Sequence, residues 1–307
     1  MYRLARTGRK AWAAACLAAG IIAAATAAQG TLVGSNLSAG ATAYGDAAST
    51  DRFKDQMSTQ WDSGTGSVSY AALVFAEAKT FDKIIVEHTQ GWVIAGFEVQ
   101  VANTSNPVAS NDAHWTTIPG GSYSGLSSGG QFVFSFNQTF TSEGVRIRAT
   151  DKSNIADNRM RTREIWVWEN YSNLAPAATV NQAGWAIQQT TSAVNNEQVG
   201  YGQAYRSASV ADPAIMTFTW ADAVTIGAIQ LNHGTAGELN VDYKIQYNPS
   251  GTWLDLVSVT GNTSPVSYHL LATPVTTDDL RIYITKGHTD GLARLTEVWI
   301  LEAIEEA

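Results

Sequence analysis

Two histidines stand at matching places in the sequence, and the residue types around them could bind a polar ligand. His88 and His233 each end a β-rich run and precede a glycine-containing loop, and Trp92 lies four residues beyond His88. An aromatic ring can stack on the apolar face of a sugar while histidine, arginine, asparagine and aspartate hydrogen-bond its hydroxyl groups. This combination of residues favours reversible recognition of a polyhydroxylated ligand.

The loops beside these histidines supply further candidate contacts. The loop 151–161 adds charged and amide side chains in the first half of the chain, and Trp185 or Tyr205 could act as the aromatic platform in the second half. A histidine at a strand end is more often a structural hydrogen-bonding residue than a ligand contact, and that alternative stays open for both. The predicted ligand-binding set is His88, Trp92, Asp151, Asn154, Arg159, Trp185, His233, Lys286 and His288.

These candidates belong to a sequence pattern that occurs twice. Residues 36–42 (Asn-Leu-Ser-Ala-Gly-Ala-Thr) recur as 173–179 (Asn-Leu-Ala-Pro-Ala-Ala-Thr), and residues 163–169 (Arg-Glu-Ile-Trp-Val-Trp-Glu) recur as 296–302 (Thr-Glu-Val-Trp-Ile-Leu-Glu). Further segments between them keep their order. The offsets drift between about 133 and 146 residues, as they would for two copies of one domain with different loop lengths.

We therefore predict a first copy at residues 34–169 and a second copy at residues 173–303. Only residues 170–172 connect them. A connection that short is not a flexible tether, so the two copies are expected to hold a restricted mutual orientation.

Both copies have the sequence character of β-structure. Short runs rich in β-branched and aromatic residues recur, each bounded by glycine, asparagine, aspartate or proline. Residues 145–148 and 280–283 alternate apolar and polar types, which predicts strands with one buried and one wet face. The predicted fold class is all-β, as two tandem β-sandwiches. Core positions are expected for the tryptophans on predicted strands or motifs, which are Trp61, Trp115, Trp166, Trp168, Trp253 and Trp299.

The first 28 residues lie outside the duplication and have the features of a secretory signal peptide. Four basic residues precede an alanine-rich apolar stretch, and residues 25–27 supply the small side chains of a cleavage site. An uncleaved membrane anchor is the alternative. The only cysteine, Cys16, lies in this segment, so the mature chain would contain no disulfide. We expect a secreted or cell-surface protein from a bacterium, with no membrane insertion after cleavage.

The charge of the chain narrows the range of partners. Removing the four basic residues of the leader takes the formal charge from −8 to −12. An acidic surface repels nucleic acid and anionic lipid, so neither is an expected partner.

At this point the residues resemble coagulation factor 5/8 type C, or discoidin-like, domains, including the galactose-binding-like carbohydrate-binding modules of bacteria. The resemblance rests on the opening motif at 36–42, an acidic residue before Thr59-Gln60-Trp61, the strand-opening Trp115, the Val-Arg-Ile run at 145–147 and the closing motif at 164–167. It extends over nearly the whole mature chain, once per copy. The resemblance implies jelly-roll β-sandwiches that bind glycans rather than catalyse a reaction.

The same resemblance implies a structural calcium ion near the ends of each domain. Calcium takes six to eight oxygen ligands, and carried over by position the candidates are Asp55, Thr59 and Glu164 in the first copy and Glu297 in the second. The second copy lacks the aspartate, so calcium is expected more in the first copy. The alternative is that Glu164 and Glu297 hydrogen-bond the ends of the closing strands.

Enzymatic motifs are weak in this chain. Residues 125–129 fit the Gly-x-Ser-x-Gly pattern, but that motif requires a strand before it and a helix after it, whereas these residues lie in a glycine- and serine-rich turn. Two functions remain open. One is a non-catalytic, lectin-like glycan-binding protein, and the other is a structural subunit of a matrix, envelope or appendage that assembles with itself.

Overall fold

The structure is a computed structural model that describes residues 31–54, 60–183, 194–197, 205–206, 213–233, 239–287 and 289–305. These residues form strands and four single-turn 3₁₀ helices, at Ser38–Gly40, Thr50–Phe53, Asp112–His114 and Ala175–Ala177. The strands are β1 Thr31–Val33, β2 Ser35–Asn36, β3 Thr42–Gly45, β4 Trp61–Asp62, β5 Tyr70–His88, β6 Gly96–Ala102, β7 Trp115–Tyr123, β8 Val133–Asp151, β9 Arg161–Glu169, β10 Thr179–Ala183, β11 Tyr205–Arg206, β12 Ala214–Asn232, β13 Asp242–Tyr247, β14 Leu254–Val259, β15 Val266–Lys286, β16 Arg294–Leu295 and β17 Glu297–Glu305. Within the described ranges, no helix has the length and apolar character that crossing a membrane requires.

The first sandwich consists of β2 to β9, and two bent strands contribute to both of its layers. The first half of β5 pairs with β3 and with the second half of β8, which in turn pairs with β6. The second half of β5 pairs with β9 and with the first half of β8. Register shifts at the middle of β5 mark the bends, where an irregular pairing lets a strand turn from one layer to the other.

The second sandwich repeats this topology with β10 to β17. The first half of β12 pairs with β10 and the second half pairs with β17, while β15 spans both layers as β8 does. The predicted all-β fold of two tandem sandwiches is confirmed. Residues 125–129 lie in the loop between β7 and β8, as the turn composition predicted.

Each sandwich has its own hydrophobic core, formed by alternate residues of the strands. In the first, Ile84 and Val86 of β5 face Ile165 and Val167 of β9. In the second, the corresponding core includes residues of β12 and β17. Because each core supplies its own apolar burial, neither requires a disulfide.

The two sandwiches pack against each other through the outer faces of matching strands. Trp166 and Trp299 occupy the same position in the two repeats, and their ring centroids are 4.8 Å apart. Trp168 lies 6.2 Å from Trp166 and is also fully buried. Contact between equivalent residues is what an approximate two-fold axis produces. The three tryptophans are buried as expected, but the core that they form lies between the sandwiches rather than inside one of them.

The chain also crosses this junction at its described N-terminal end. Strand β1 pairs with β17 of the second sandwich, with Leu32 opposite Ile304, whereas β2, one residue further on, pairs with β9 of the first. The Val33 side chain packs into the tryptophan core. One short segment thereby ties the two sheets together.

One strand differs from the alternation expected of it. Arg146 on β8 was predicted to face water but is fully buried. Its guanidinium lies 5.0 Å from the Trp115 ring and donates to Gln100 Oε1 at 2.7 Å and to Asp112 Oδ1 at 2.9 Å. A loop covers this face of the sheet, so the arginine is buried but fully hydrogen-bonded.

Candidate functional site

An exposed tryptophan sits above a polar network at one end of the first sandwich. We call this group the Trp92 cluster, and its members are Gln60, Asp62, Thr89, Trp92, Asp157 and Arg161. Trp92 is 42 % exposed, while the Arg161 side chain beneath it is buried. The Arg161 guanidinium carbon lies 4.0 Å from the centroid of the Trp92 ring, within the range of a cation–π interaction.

Two carboxylates hold Arg161 in place. Asp157 receives two hydrogen bonds from its guanidinium, one of them from Nη1 at 3.1 Å. Asp62 lies 3.5 Å from the arginine Nε and accepts from Gln60 Nε2 at 2.8 Å. Hydrogen bonding to Arg161 lowers the pKa of Asp157, so this carboxyl is ionised at neutral pH. A two-point contact of this kind fixes the plane of the guanidinium, and with it the ring stacked on it.

The backbone explains why these residues meet. Strand β4 pairs with the start of β9 in a register that sets Asp62 opposite Arg161. The Thr89 N–H donates to the Arg161 carbonyl at 3.2 Å, and the Trp92 N–H donates to the Thr89 carbonyl at 2.9 Å. Gly91 adopts a φ of +80°, which closes the tight turn that follows β5.

His88 lies beneath this turn, fully buried. Its Nδ1 is 3.1 Å from the Arg161 carbonyl oxygen, and its ring packs 4.7 Å from Phe97 and 5.9 Å from Phe134. Burial lowers the pKa of His88 to about 4, so the imidazole is neutral at pH 7. In this position the side chain presents no surface to a ligand and supports the turn that carries Trp92.

The other predicted contacts of the first copy lie at the end of β8 and in the loop before β9, and they differ in how far they are buried. Asn154 Nδ2 donates to the Val93 and Leu126 carbonyls, both at 3.0 Å, and so pins two loops together. Asp151 is exposed and accepts from the Ser153 N–H at 2.8 Å. Arg159 is half-buried, and its positive charge contributes to the lowered pKa of Asp157.

His233 is the matching residue of the second sandwich and is also fully buried. Its Nε2 lies 3.0 Å from Ser267 Oγ and its Nδ1 lies 2.8 Å from Asn240 Nδ2. Burial, with a smaller contribution from His269, lowers the pKa of His233 to about 3. The histidine is therefore part of a buried hydrogen-bond network.

The remaining candidates of the second copy are only partly described. Lys286 is exposed and lines a groove of about 440 Å³ together with Leu239, Asn262 and Thr289. Trp185 and His288 lie outside the described residues.

The second sandwich keeps only part of the Trp92 cluster. Arg294 donates to both Asp290 oxygens, in the same four-residue spacing as Arg161 and Asp157. The residue opposite Arg294 in the β-register is Arg206, where the first sandwich has Asp62. The loop 234–238 contains no aromatic residue at the sequence position of Trp92.

The predicted metal ligands are also only partly described. Glu164 is fully buried and stands opposite Glu87 in the β5–β9 register, beside the positive charge of Arg163. Glu297 is fully buried and accepts from the Asn196 N–H at 3.3 Å. Asp55 and Thr59 lie outside the described residues. Over the described ranges, no three His, Cys, Asp or Glu side chains are grouped to hold a metal ion.

Sequence reasoning missed the residues that make Trp92 a fixed platform, namely Arg161, Asp157, Asp62 and Gln60. A signal for two of them was present, because an aspartate four residues before an arginine occurs at 157 and 161 and again at 290 and 294. The contribution of Asp62 depends on strand register and has no local signature.

Comparison of the sequence with models of known protein families finds no match, and comparison with curated proteins also finds none. Among solved structures, chitosan-binding module 1 of a chitosanase/glucanase from Paenibacillus sp. IK-5 is 20% identical over 42% of this chain and 98% of its own, at a TM-score of 0.37. The CBM32-1 and CBM32-2 domains of Clostridium perfringens ZmpB, in complex with GalNAc, are 11% identical over 88% of this chain and 92% of theirs, at a TM-score of 0.35.

A fucolectin from striped bass (Morone saxatilis) serum is 11% identical over 89% of this chain and 99% of its own, at a TM-score of 0.36. Because these TM-scores are below 0.5 and the identities below 25%, the similarities carry no conclusion about the ligand of this chain. These three structures are carbohydrate-binding modules and a lectin.

Proposed function

We propose that this protein is a non-catalytic glycan-binding protein and that the Trp92 cluster of its first sandwich is the binding site. The observation that carries the proposal is the exposed Trp92 ring, held by a buried arginine and bordered by partly exposed carboxylates. A rigid aromatic platform with polar groups at its rim is the arrangement that sugar recognition requires.

The cluster divides these tasks among its residues. Arg161 covers part of the Trp92 ring and fixes its orientation, so little side-chain entropy is lost when a sugar stacks on the remaining surface. Asp62 and Asp157 have side chains that are 34% and 42% exposed. Their oxygens can accept hydrogen bonds from sugar hydroxyl groups while they still bind the arginine.

The charge of the site indicates which sugars fit. Two carboxylates, Asp62 and Asp157, surround the one guanidinium of Arg161. Arg159 adds a second positive charge beside Asp157, so the site itself is close to neutral, and the acidic charge of the whole chain disfavours an anionic sugar. A neutral glycan is therefore the proposed ligand.

The second sandwich is proposed to bind weakly or not at all through its matching end. It retains the Arg294–Asp290 pair but has Arg206 in place of Asp62 and no aromatic residue in the loop 234–238. Among the residues of this end that the structure describes, the arginine–aspartate pair has no counterpart of the Trp92 platform beside it.

The alternative of a self-assembling structural subunit would be favoured by an apolar surface common to both copies. The exposed Tyr268 and Leu270 of β15 form such a surface only in the second sandwich. Their register equivalents in the first are Ser135 and Asn137. The apolar surface is thus specific to one copy. Export by a cleaved leader and calcium binding that involves Asp55 and Thr59 remain parts of the proposal.

A glycan array probed with the mature protein, with and without a calcium chelator, tests this function. Trp92→Ala is expected to weaken binding to neutral glycans about tenfold or more, because it removes the platform of this site and leaves the polar rim. Tyr44→Ala is the matched control, since Tyr44 is an aromatic residue of similar exposure on β3, outside the cluster.

Loss of signal in Trp92→Ala with retention in Tyr44→Ala would support the proposal. A blank array from folded wild-type protein, or equal binding by wild type and Trp92→Ala, would contradict it. A signal that disappears only with the chelator would indicate that calcium organises the binding loops.

A further inference from the structure

A cavity lies at the junction of the two sandwiches, away from the Trp92 cluster. Ser35 and Asn36 contribute from the first sandwich, and Gln230, Ser264 and Tyr268 contribute from the second. Its volume is about 370 Å³, within the range of small-molecule sites. The packing of the two sandwiches creates this cavity, since neither sandwich lines it alone.

The cavity breaks the approximate two-fold symmetry of the junction. In the second sandwich Gln230 is paired with Tyr268 and Trp299. The same register positions in the first sandwich hold Ile85, Ser135 and Trp166. The second copy therefore has an amide and an aromatic ring where the first has an aliphatic side chain and a small hydroxyl.

These two replacements place binding groups in the cavity. Tyr268 is 42% exposed, and its hydroxyl donates to the Gly34 carbonyl at 3.1 Å, which holds the ring at the cavity wall. Gln230 is almost fully buried and donates to Asn232 Oδ1 at 3.2 Å. Burying an amide where the other copy buries isoleucine costs stability unless the amide is hydrogen-bonded, and the bond to Asn232 uses only part of the hydrogen-bonding capacity of Gln230.

The first sandwich contributes a polar group as well. Asn36 Oδ1 accepts from the Ser38 N–H at 3.0 Å, whereas its buried Nδ2 has no hydrogen-bond partner among the described residues. The lining residues in this part of the described chain include no charged side chain. These amide, hydroxyl and aromatic groups fit an uncharged, polyhydroxylated ligand. The Glu169 carboxylate, which accepts from Ser35 Oγ at 2.7 Å, disfavours an anionic ligand such as a phosphate.

We propose that the junction cavity is a separate binding site for a neutral saccharide unit, with Tyr268 as the stacking ring and Gln230 and Asn36 as the hydrogen-bonding groups. A ligand there would contact both sandwiches at once and would stabilise their packing.

The experiment measures binding of methyl galactoside, methyl glucoside and N-acetylgalactosamine by saturation-transfer NMR and calorimetry. It uses the full mature chain as wild type, Trp92→Ala, Tyr268→Ala and the double variant. The Trp92→Ala protein is expected to retain binding of at least one of these sugars. Adding Tyr268→Ala should weaken that binding about tenfold or more, because the stacking ring is lost.

Two further variants separate binding from folding. In the Trp92→Ala background, Tyr268→Phe keeps the ring and should bind within about threefold of its parent, since the lost hydroxyl bonds to protein rather than to ligand. Leu270→Ala, two residues along the same strand and 65% exposed, should leave binding unchanged.

The outcomes distinguish this site from the Trp92 site. If Trp92→Ala abolishes all binding, the junction site is overturned and the Trp92 site stands. If the double variant binds as well as Trp92→Ala, the junction site is overturned, and the Trp92 site stands only when wild type binds more tightly than Trp92→Ala. If wild type and Trp92→Ala bind equally and Tyr268→Ala removes binding, the junction site stands and the Trp92 site falls. Absence of binding by every protein overturns both.

Discussion

The two sandwiches share a topology but differ at the end where loops could bind a ligand. Both carry a buried histidine at or just after the end of a long strand and an arginine held by the aspartate four residues before it. Only the first adds Trp92 above the arginine and Asp62 beside it. The shared residues are those that hold the loop in shape, and the divergent ones are those that a ligand would touch.

The two buried histidines occupy matching positions but have different packing and hydrogen-bond partners. His88 packs among Phe97 and Phe134, whereas His233 hydrogen-bonds Asn240 and Ser267. In both cases the ring is neutral and fully buried. A position conserved between repeats can therefore be structural even when its residue type suggests binding.

At the junction of the two sandwiches, matching residues of the two repeats contact each other. Mutating Trp166 or Trp299 to alanine should give the largest effect, about 3–5 kcal/mol of destabilisation from lost apolar burial and the cavity left behind. The two changes should not be additive, with a coupling energy of about 1 kcal/mol, since the rings contact each other.

Denaturant unfolding of the single and double variants measures this coupling, with the exposed Trp92→Ala as control. Strict additivity would show that the sandwiches are energetically independent. Two separate unfolding transitions in the wild type would lead to the same conclusion.

The buried histidines should make stability depend on pH. The folded-state pKa values are about 4 for His88 and about 3 for His233, below the 6.5 of an exposed histidine. Because the unfolded chain binds these protons first, the stabilisation is complete above pH 6.5 and is lost as the pH falls toward 4. At about 1.4 kcal/mol per pKa unit, the full effect is roughly 3 kcal/mol for His88 and roughly 5 kcal/mol for His233, whose loss continues toward pH 3.

Thermal and urea unfolding between pH 4 and 7.5 tests this dependence. His88→Leu should flatten the slope in that range, and His233→Leu should do so to a similar extent or slightly more. A slope unchanged in the double variant would mean that the histidines are not buried as neutral rings.

Replacing the arginine at each loop end by lysine is expected to change glycan affinity only in the first sandwich, and this is the smallest of the predicted effects. Arg161→Lys keeps the charge but loses the planar stack on Trp92 and the two-point contact with Asp157. Glycan affinity should fall about tenfold, or roughly 1.4 kcal/mol. Arg294→Lys should leave affinity unchanged, because no aromatic residue lies at the Trp92 position in the second copy.

Calorimetry with a glycan selected on the array compares these two variants. Equal losses in both would show that the second sandwich contributes to binding despite its missing groups. Unchanged affinity in Arg161→Lys would remove the guanidinium from the proposed site.

Much of the architecture could be predicted from local sequence. The duplicated motifs indicated the repeat, and β-branched runs bounded by turn residues indicated the strands. Trp92 was expected to be exposed because it follows glycine in a short loop. The alternation at 280–283 correctly predicted one buried and one wetter face.

The Trp92 cluster could be predicted only in part. Arg161 has the appearance of an ordinary strand residue, and Asp62 lies about one hundred residues before it. Their proximity depends on the pairing of β4 with β9. Arg146 could not be predicted for the same reason. The sequence alternation places it on the solvent-exposed face of β8, but the loop that contains Asp112 packs over that face and buries the side chain.

The amino-acid sequence by itself determined the charge, the β-strands and the tandem repeat of this protein. The charge follows from composition, the strands from the alternation of apolar and polar residues, and the repeat from the recurring motifs. Only the tertiary structure decided which surfaces meet water. Strand β9 is buried along eight of its nine residues, one face in its own core and the other against the second sandwich. Burial of a side chain depends on what packs against it, and hydrogen bonds and stacking act only over a few ångströms.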